Sequence, residues 1–183
     1  ELYDDRVKFK DLQLDAERSG NKENIAEYET RQMARKISLN SAYGALGNEY
    51  FRYFDIRQAE AITKSGQLSI RWIERELNEY LNQTFQTKDE DFVVASDTDS
   101  VYVTLSLLVE RYLGSITDKN KIVDALDQFW RDKIEPFMEQ SYQKVADYMN
   151  AHQQRMVMKR EVIADKGVWT AKKRYVLNVW DSE

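Results

Sequence analysis

The first half of the chain holds two long stretches with a helical residue pattern. Residues 22–46 contain no proline and no glycine before Gly44, and Asn21 is well suited to cap them. Residues 55–82 place apolar side chains at helical spacing on one side and charged side chains on the other. The pattern therefore predicts two long helices, whereas residues 1–18 are only weakly amphipathic.

The same pattern predicts two more helices and a packed aromatic cluster. A short helix is expected over residues 107–113, and helical apolar spacing runs from a capping Asp118 to about Met149. Pro136 lies inside this second stretch and should kink or split it. Residues 50–54 are four aromatic residues and one arginine, a density that favours packing between elements of the core.

A β-hairpin with an acidic turn is predicted over residues 92–105, where two β-branched runs flank the sequence DTDS. The runs are nearly continuous in apolar residues, so both faces of the strands are expected to be buried. Asp97 and Asp99 share a face if the strand geometry extends into the turn. Two carboxylates held that close repel unless a cation lies between them, and hard oxygen ligands favour Mg²⁺. The alternative is an ordinary surface turn, which the spacing alone favours.

The C-terminal part has a residue pattern typical of strands and contains a basic cluster. Residues 156–164 are predicted as a strand, residues 165–167 as a turn, and residues 168–180 as one or two further strands. Within them the sequence KKRY, residues 172–175, concentrates positive charge beside aromatics, as a phosphate-backbone contact requires. Such triplets are also common on ordinary surfaces. Glu161, expected inside the first strand, is either a third acidic group near the DTDS pair or a partner of Lys or Arg.

The first long helix carries a polar stripe. Its members recur at i, i+4, i+8 and i+11, namely Gln32, Lys36, Asn40 and Tyr43. A Lys supplies a point charge for phosphate, an Asn both donor and acceptor, and a Tyr a flat surface for a base or sugar edge. The stripe is therefore a candidate ligand face, and the alternative is a solvated helix face, which the spacing alone favours.

Composition limits the classes of function. The chain has 183 residues, no cysteine and one histidine, His152. Disulfides, zinc fingers and thiol catalysis are therefore excluded, and a histidine triad is not expected. The net charge of −5 argues against bulk electrostatic binding of nucleic acid but not against a local basic groove. No apolar run approaches the roughly 18 residues of a membrane span, which predicts a soluble chain. The first residue is Glu1 rather than Met, and we expect a piece of a longer protein.

Three motifs together carry a resemblance to a known family. KxxxNSxYG runs from Lys36 to Gly44, DTDS covers residues 97–100 and KKRY covers residues 172–175. In this order and at these separations they resemble the family B (α-like) replicative DNA polymerases, with the polymerases of T-even-type bacteriophages as the most similar group. The resemblance covers nearly the whole chain and implies a location in the host cell cytoplasm.

The resemblance implies an α+β fold and a division of the chain. The fold would be an antiparallel palm-type sheet that carries the DTDS hairpin, packed by long helices, with a protruding N-terminal fingers helix. Residues 1–47 would be the fingers remnant and residues 48–183 the palm. The implied reaction is template-directed, two-metal nucleotidyl transfer to a primer 3′ end, with Mg²⁺ as the cofactor and dNTP and primer-template DNA as partners.

The resemblance also implies roles for nucleotide-binding and metal-binding residues. Lys36 would contact the triphosphate of the incoming nucleotide, and Asn40 and Tyr43 would line the pocket of the nascent base pair. Asp97 and Asp99 would be the catalytic acidic pair at the metals, with Asp99 the stronger ligand. Glu161 is a further candidate metal ligand.

The remaining motif residues would contact DNA. Gly44 closes the helix motif, and Lys172, Lys173, Arg174 and Tyr175 match the segment that holds the primer end of the duplex through its minor groove and backbone. Minor-groove acceptor atoms are nearly the same for every base pair, so such a contact tolerates any sequence.

One family motif has no counterpart in this sequence. The family carries another metal-ligand Asp in a strand of the form DxxSLYPS, and the only proline here is Pro136. We therefore expect the isolated chain to be inactive without the remaining polymerase segments, namely the upstream palm strand, the exonuclease and the thumb. We also expect self-association through an exposed sheet edge. The alternative is a non-catalytic palm-fold binding or assembly module, or a subunit of a split polymerase.

Overall fold

Two antiparallel helices begin the chain. The computed structural model describes residues 2–182, with α1 spanning Leu2–Ser19 and α2 spanning Lys22–Leu46. Gly20 breaks the path between them with a φ of +71°. The side-chain oxygen of Asn21 accepts a hydrogen bond from the backbone N–H of Asn24 at 3.3 Å. The predicted helix and its cap are both confirmed.

Aromatic and cationic contacts join α1 to α2. The Phe9 ring lies 6.3 Å from the Tyr28 ring, and the Arg35 guanidinium lies 4.6 Å from the centroid of Phe9. Arg35 also pairs with Asp5 at 3.5 Å. Every residue of α2 keeps part of its surface exposed. The helix pair therefore gains little from the burial of apolar side chains.

The aromatic cluster that follows α2 is exposed, so its predicted burial was wrong. Tyr50 is 89% exposed and Tyr53 is 65% exposed. The backbone here forms two successive tight turns, in which Phe51 N–H donates to Asn48 O and Phe54 N–H to Phe51 O. Because turns lie at the surface, they carry their side chains outward whatever their apolar character.

The chain divides into two structural units between Lys64 and Ser65, inside the helix α3. This helix spans Ile56–Phe85 and confirms the second predicted long helix. The division lies later than the predicted boundary at residues 47 and 48, and the fingers and palm assignment stays a prediction.

The core of the second unit lies between α3 and α6, which spans Glu135–Tyr148. Its members are apolar residues of these helices and of the segments next to them, namely Ile73, Leu77, Leu81, Phe85, Phe92, Val93, Leu108, Ile134, Met138 and Tyr142. On α3 they recur every four residues, so one stripe of the helix faces the core.

The remaining helices follow the predicted pattern with one added feature. A single turn α4 (Ser106–Leu108) continues as a π-helical turn over Val109–Leu113, and α5 spans Lys119–Phe129. A second π-helical turn, Trp130–Ile134, leads into α6, whose first turn contains Pro136. The α-helical hydrogen-bond pattern is thus interrupted directly before this proline, where a kink or split was predicted, while the backbone stays helical throughout. No helix among residues 2–182 is long and apolar enough to cross a membrane.

Four strands complete an α+β fold, but they form two separate two-stranded antiparallel sheets. We call the pair β1 (Val93–Asp97) and β2 (Ser100–Val103) the acidic hairpin. The pair β3 (Val162–Ala171) and β4 (Arg174–Ser182) is the basic hairpin. The single sheet expected from the sequence is not formed among the described residues.

The predicted strand limits in the basic hairpin were wrong. The turn is Lys172–Lys173 rather than residues 165–167, and β3 begins at Val162 rather than in the stretch from residue 156. Gly167 lies inside β3, where an added Cβ would come within 2.8 Å of both the Trp169 ring and the Leu177 side chain. This glycine therefore serves the close approach of side chains and not a turn.

Candidate functional site at the tips of the two hairpins

The tip of the acidic hairpin is a tight, strained turn. Thr98 has a φ of +46°, which is rare for a β-branched residue, and Asp99 N–H donates to Asp97 O across it. The Ser100 hydroxyl donates to the same carbonyl at 3.1 Å, and the Thr98 hydroxyl donates to Asp97 Oδ1 at 2.9 Å. Strand geometry thus ends at Asp97, and the condition under which Asp97 and Asp99 would share a strand face is not met.

The strands below this tip are buried on one side only. Phe92 and Val93 are buried, but Val94 is 52% exposed. The expectation that both faces of the strands are buried was therefore wrong for β1. Its two-stranded sheet covers the core with one face, and the alternation of side chains places Val94 on the other. The side chain of Asp97 is 38% exposed, and Asp99 is exposed.

The tip of the basic hairpin is also strained. Lys173 has a φ of +62°, and the strand register shifts between Trp169 and Ala171. The Thr170 hydroxyl donates to Arg174 O at 3.2 Å beside this bulge. A bulge of this kind changes the direction in which the following side chains point.

The two tips meet in space. Lys173 Nζ lies 3.8 Å from Asp97 Oδ2. The structure therefore brings together one carboxylate of DTDS and one ammonium of KKRY, which are far apart in the sequence. Residues in rare backbone conformations persist only where the surroundings hold them, and they concentrate at functional sites. Both tips contain one such residue, Thr98 and Lys173.

An aromatic contact joins the hairpins behind the tips. The Tyr102 ring of β2 lies 5.3 Å from Trp169 of β3 and 5.4 Å from Tyr175 of β4, edge-on to both. Burial raises the pKa of the Tyr102 phenol, and a hydrogen bond with the Tyr175 hydroxyl and the nearby Asp97 carboxylate act in the same direction. The sequence analysis missed Tyr102 and Trp169. Trp169 and Tyr175 are cross-strand partners, so a correct turn position would have revealed that pair.

The helix motif belongs to the first unit and forms one exposed face of α2. Lys36 and Asn40 are exposed, and Tyr43 is 45% exposed with its hydroxyl 3.0 Å from Thr63 Oγ1. Nothing lies within 4 Å of the position that a Cβ of Gly44 would occupy. This exposure fits both the ligand face and the solvated helix face, so the ligand face stays a prediction.

Glu161 does not join the acidic pair. It is exposed and precedes β3, so its predicted place in the middle of a strand was wrong. Within residues 2–182 no three acidic, histidine or cysteine residues are close enough together to hold a metal. Two carboxylates nevertheless fit Mg²⁺, which takes one or two from a protein and fills its other positions with water and phosphate. The Lys173 ammonium beside Asp97 Oδ2 marks this oxygen as a place for positive charge.

Comparisons with known proteins identify relatives of this chain. The family model of DNA polymerase family B matches residues 1–146. The DNA-directed DNA polymerases of Enterobacteria phage T4 and Escherichia phage RB69 are 48% and 47% identical in alignments of 163 residues that cover 84% of this chain and 18% of each polymerase. The DNA polymerase alpha catalytic subunit of Trypanosoma brucei brucei is 33% identical over 102 residues, or 56% of this chain and 7% of that protein.

These matches show the family of the chain and how much of its relatives it covers. The chain spans less than a fifth of the length of the phage relatives. The family match nevertheless covers the helix motif and the acidic hairpin, and most of the chain. By sequence, this chain belongs to DNA polymerase family B.

Proposed function

We propose that this chain supplies the acidic and basic site residues of a DNA-directed DNA polymerase, which extends a primer 3′ end by two-metal nucleotidyl transfer. The observation that carries the proposal is the 3.8 Å approach of Lys173 to Asp97. This approach places a carboxylate, which attracts a metal ion, beside an ammonium group, which attracts the phosphates of the DNA backbone. The family membership supports the same chemistry, because the relatives of highest identity named above are DNA-directed DNA polymerases.

Asp97 and Asp99 are the metal ligands in this proposal. Their exposed carboxylate oxygens would hold Mg²⁺, which, when bound, stabilises the negative charge on the attacking 3′-oxygen and on the leaving pyrophosphate. Thr98 assists by donating its hydroxyl to Asp97 Oδ1, which holds that carboxylate in place at 2.9 Å. The tight turn keeps Asp99 at the exposed tip, where substrate can reach it.

The basic hairpin binds the primer end of the DNA. Lys172, Lys173 and Arg174 offer three positive charges at an exposed turn, and each one that meets a phosphate displaces a counterion. Tyr175 and its neighbours give the turn a rigid aromatic base. We expect the binding of the isolated chain to DNA to be weak and sensitive to salt, since the net charge of the chain is −5.

The exposed face of α2 binds the incoming dNTP. Lys36 contacts the triphosphate as a point charge, and Asn40 and Tyr43 line the pocket of the new base pair, beside Gly44. The hydrogen bond between the Tyr43 hydroxyl and Thr63 restricts the ring to one orientation. In this proposal residues 1–47 serve as fingers and residues 48–183 as palm.

Other polymerase segments complete the site. The sequence contains no DxxSLYPS stretch, so the chain alone is expected to lack primer extension. The acidic hairpin is a sheet of only two strands, whose outer edges can pair with a strand of those segments or of a second copy. The same open edges favour the second candidate function, an assembly module or subunit of a split polymerase. Light scattering over micromolar concentrations tests self-association.

Replacing the matched segment of the RB69 polymerase by this chain tests the main proposal. We expect Mg²⁺-dependent primer extension by the chimera and none by the isolated chain. Asp99→Asn should lower the rate by at least about 100-fold, because metal stabilisation of charge supplies several kcal/mol. Asp89→Asn removes an exposed carboxylate elsewhere and serves as the control. If primer extension by the chimera survives Asp99→Asn, Asp99 is not a ligand of the catalytic metal.

A further inference from the structure

We propose that Tyr102 is the positioning residue that holds Lys173 beside Asp97, so that it sets how readily a divalent cation takes that carboxylate. The inference rests on the proposed function and deepens it. Lys173 and an incoming cation compete for the same oxygen, Asp97 Oδ2. Tyr102 contacts neither the cation nor the DNA in this proposal, and it acts through the basic hairpin.

Tyr102 touches both strands that lead into the basic turn. Trp169 precedes Lys173 by four residues on β3, and Tyr175 follows it by two on β4. The Tyr102 ring meets both edge-on, at 5.3 and 5.4 Å, while Trp169 and Tyr175 stack on each other at 6.3 Å. Edge-to-face aromatic contacts have a preferred geometry, so the three rings fix the position of the strands on either side of the turn.

Two further ion pairs and a cation–π contact of the basic hairpin lie away from its tip. Lys119 pairs with Asp165 at 3.1 Å and lies 4.3 Å from the centroid of the Trp180 ring. Arg160 pairs with Asp181 at 2.7 Å. All three hairpin residues belong to the part of the hairpin remote from Lys173 in the strand register. The aromatic group at Tyr102 is the support closest to the tip.

A pair as exposed as Lys173 and Asp97 depends on such support. The Lys173 side chain is 66% exposed, and its ammonium stands 3.8 Å from the carboxylate oxygen. Ordering a long flexible side chain costs entropy, and exposed ion pairs therefore contribute little on their own. A fixed backbone lowers that cost, because it leaves only the side chain to be ordered. The strained φ of Lys173 likewise needs a surrounding structure that holds it.

The test measures Mn²⁺ affinity by paramagnetic broadening of NMR signals around Asp97. Tyr102→Leu removes the ring contacts and should raise the affinity about two- to five-fold, the size expected for loss of an exposed competing charge. Lys173→Ala should raise it by the same factor. Tyr102→Leu added to Lys173→Ala should bring no further change, because Tyr102 acts through Lys173. Tyr102→Phe keeps the ring contacts and loses only the hydrogen bond with the Tyr175 hydroxyl, so it should leave the Mn²⁺ affinity close to that of the unaltered chain.

A matched control separates positioning from general stability. Tyr148 contacts Trp72 at a similar centroid distance, 5.7 Å, with the rings tilted rather than edge-on and away from both tips. Tyr148→Leu should leave the Mn²⁺ affinity unchanged. An equal effect of Tyr148→Leu, or an effect of Tyr102→Leu that persists in the Lys173→Ala background, would overturn the positioning role.

A second readout needs no metal. Nuclear Overhauser contacts between the side chains of Lys173 and Asp97 should be present in the unaltered chain and in Tyr148→Leu, and lost in Tyr102→Leu. Contacts that survive Tyr102→Leu overturn the inference. If these contacts behave as expected but Mn²⁺ does not bind near Asp97, the metal assignment of the proposed function fails while the positioning role of Tyr102 stands.

Discussion

The acidic and basic hairpins share a plan but differ in what holds them. Each is a two-stranded antiparallel sheet with one non-glycine residue in the left-handed region at its tip. The acidic hairpin is rooted in the core through Phe92 and Val93. Every described residue of β3 and β4 keeps part of its surface exposed, and ion pairs and ring contacts hold the basic hairpin instead.

Because the two hairpins are held by different interactions, we expect their tips to differ in mobility. Burial of apolar side chains anchors the strands below the acidic tip, which suits the metal site proposed there, because metal ligands must be held at fixed distances. The basic hairpin relies on contacts that salt, pH or a ligand can alter. Segments that move on binding belong to the less stable parts of a protein. Under the proposed function, the basic hairpin would adjust to DNA while the acidic hairpin stays in place.

The largest expected effect comes from the root of the acidic hairpin. Phe92 is 1% exposed, and its ring lies 5.5 Å from that of Phe85. Phe92→Ala should lower the free energy of unfolding by about 3–5 kcal/mol, through lost burial and the cavity left behind. Chemical denaturation measures the change. Val176→Ala, at a 73% exposed site in the basic hairpin, should change it by less than about 0.5 kcal/mol. Comparable losses of unfolding free energy from Phe92→Ala and Val176→Ala would mean that burial supports both hairpins equally.

The next effect comes from the main ionic support of the basic hairpin. Arg160, whose side chain is 7% exposed, pairs with Asp127 of α5 and with Asp181 of β4, both at 2.7 Å. Arg160→Ala leaves two carboxylates without this partner and should cost about 2 kcal/mol, less than a fully buried pair because Asp181 is 42% exposed.

Hydrogen exchange of the backbone amides shows which strands Arg160→Ala destabilises. Backbone amides of β3 and β4 should exchange faster, while those of β1 and β2 should not, since the acidic hairpin is anchored in the core and makes no ion pair with Arg160. Arg155→Ala is the control, because the exposed Arg155 guanidinium donates two hydrogen bonds to the nearby Gln153 and makes no ion pair with the described residues of the basic hairpin. If backbone amides of both hairpins exchange faster, the acidic hairpin also depends on Arg160, which would contradict its separate anchoring in the core.

A smaller effect is expected from filling the space beside Gly167. A Cβ there would lie 2.8 Å from the Trp169 ring and must displace it. Gly167→Ala should cost about 1 kcal/mol and change the near-ultraviolet circular dichroism of the aromatic group. Gly66→Ala in α3, where nothing lies within 4 Å, should stabilise the protein by about 0.5–1 kcal/mol. A neutral result for Gly167→Ala would mean that the rings are loosely held.

The smallest effect is a pH response confined to the basic hairpin. Hydrogen bonds from Asn178 and from the Lys119 ammonium hold the pKa of Asp165 below its usual value of 3.8. The stabilisation from a carboxylate with a lowered pKa is present above that usual value and is lost as pH falls through the folded-state pKa. The NMR signals of the Asn178 amide and the Trp180 indole should shift together below about pH 3.8.

Asp165→Asn supplies the control for this response. The variant has no carboxylate to titrate at this position, so the common shift of the two signals should disappear. A shift that remains in Asp165→Asn would assign the response to another acidic group.

Local signals predicted most of the helical structure. Asn21 and Pro136 act within one turn of the backbone, so the cap and the helix split were visible in the sequence. The turn of the basic hairpin was misplaced because Gly167 looks like a turn residue, while Lys173 adopts a left-handed backbone without any turn signal. The two π-helical turns likewise have no simple residue pattern.

The site was predicted as motifs but not as an arrangement. DTDS and KKRY can each be read from the sequence, yet the approach of Lys173 to Asp97 depends on how two distant hairpins pack. Tyr102 and Trp169 lie outside both motifs, and their importance comes only from contacts between residues far apart in the chain. Long-range packing of this kind leaves no periodic signal.

The most direct test of the account is a map of Mn²⁺ broadening on the amide spectrum of the chain. The account predicts that residues 97–100 broaden first and that residues 172–174 broaden with them, because the two tips form one site. Asp99→Asn should abolish this pattern. Broadening of only one hairpin, or first broadening at the acidic surface around Asp89, Glu90 and Asp91, would contradict the account.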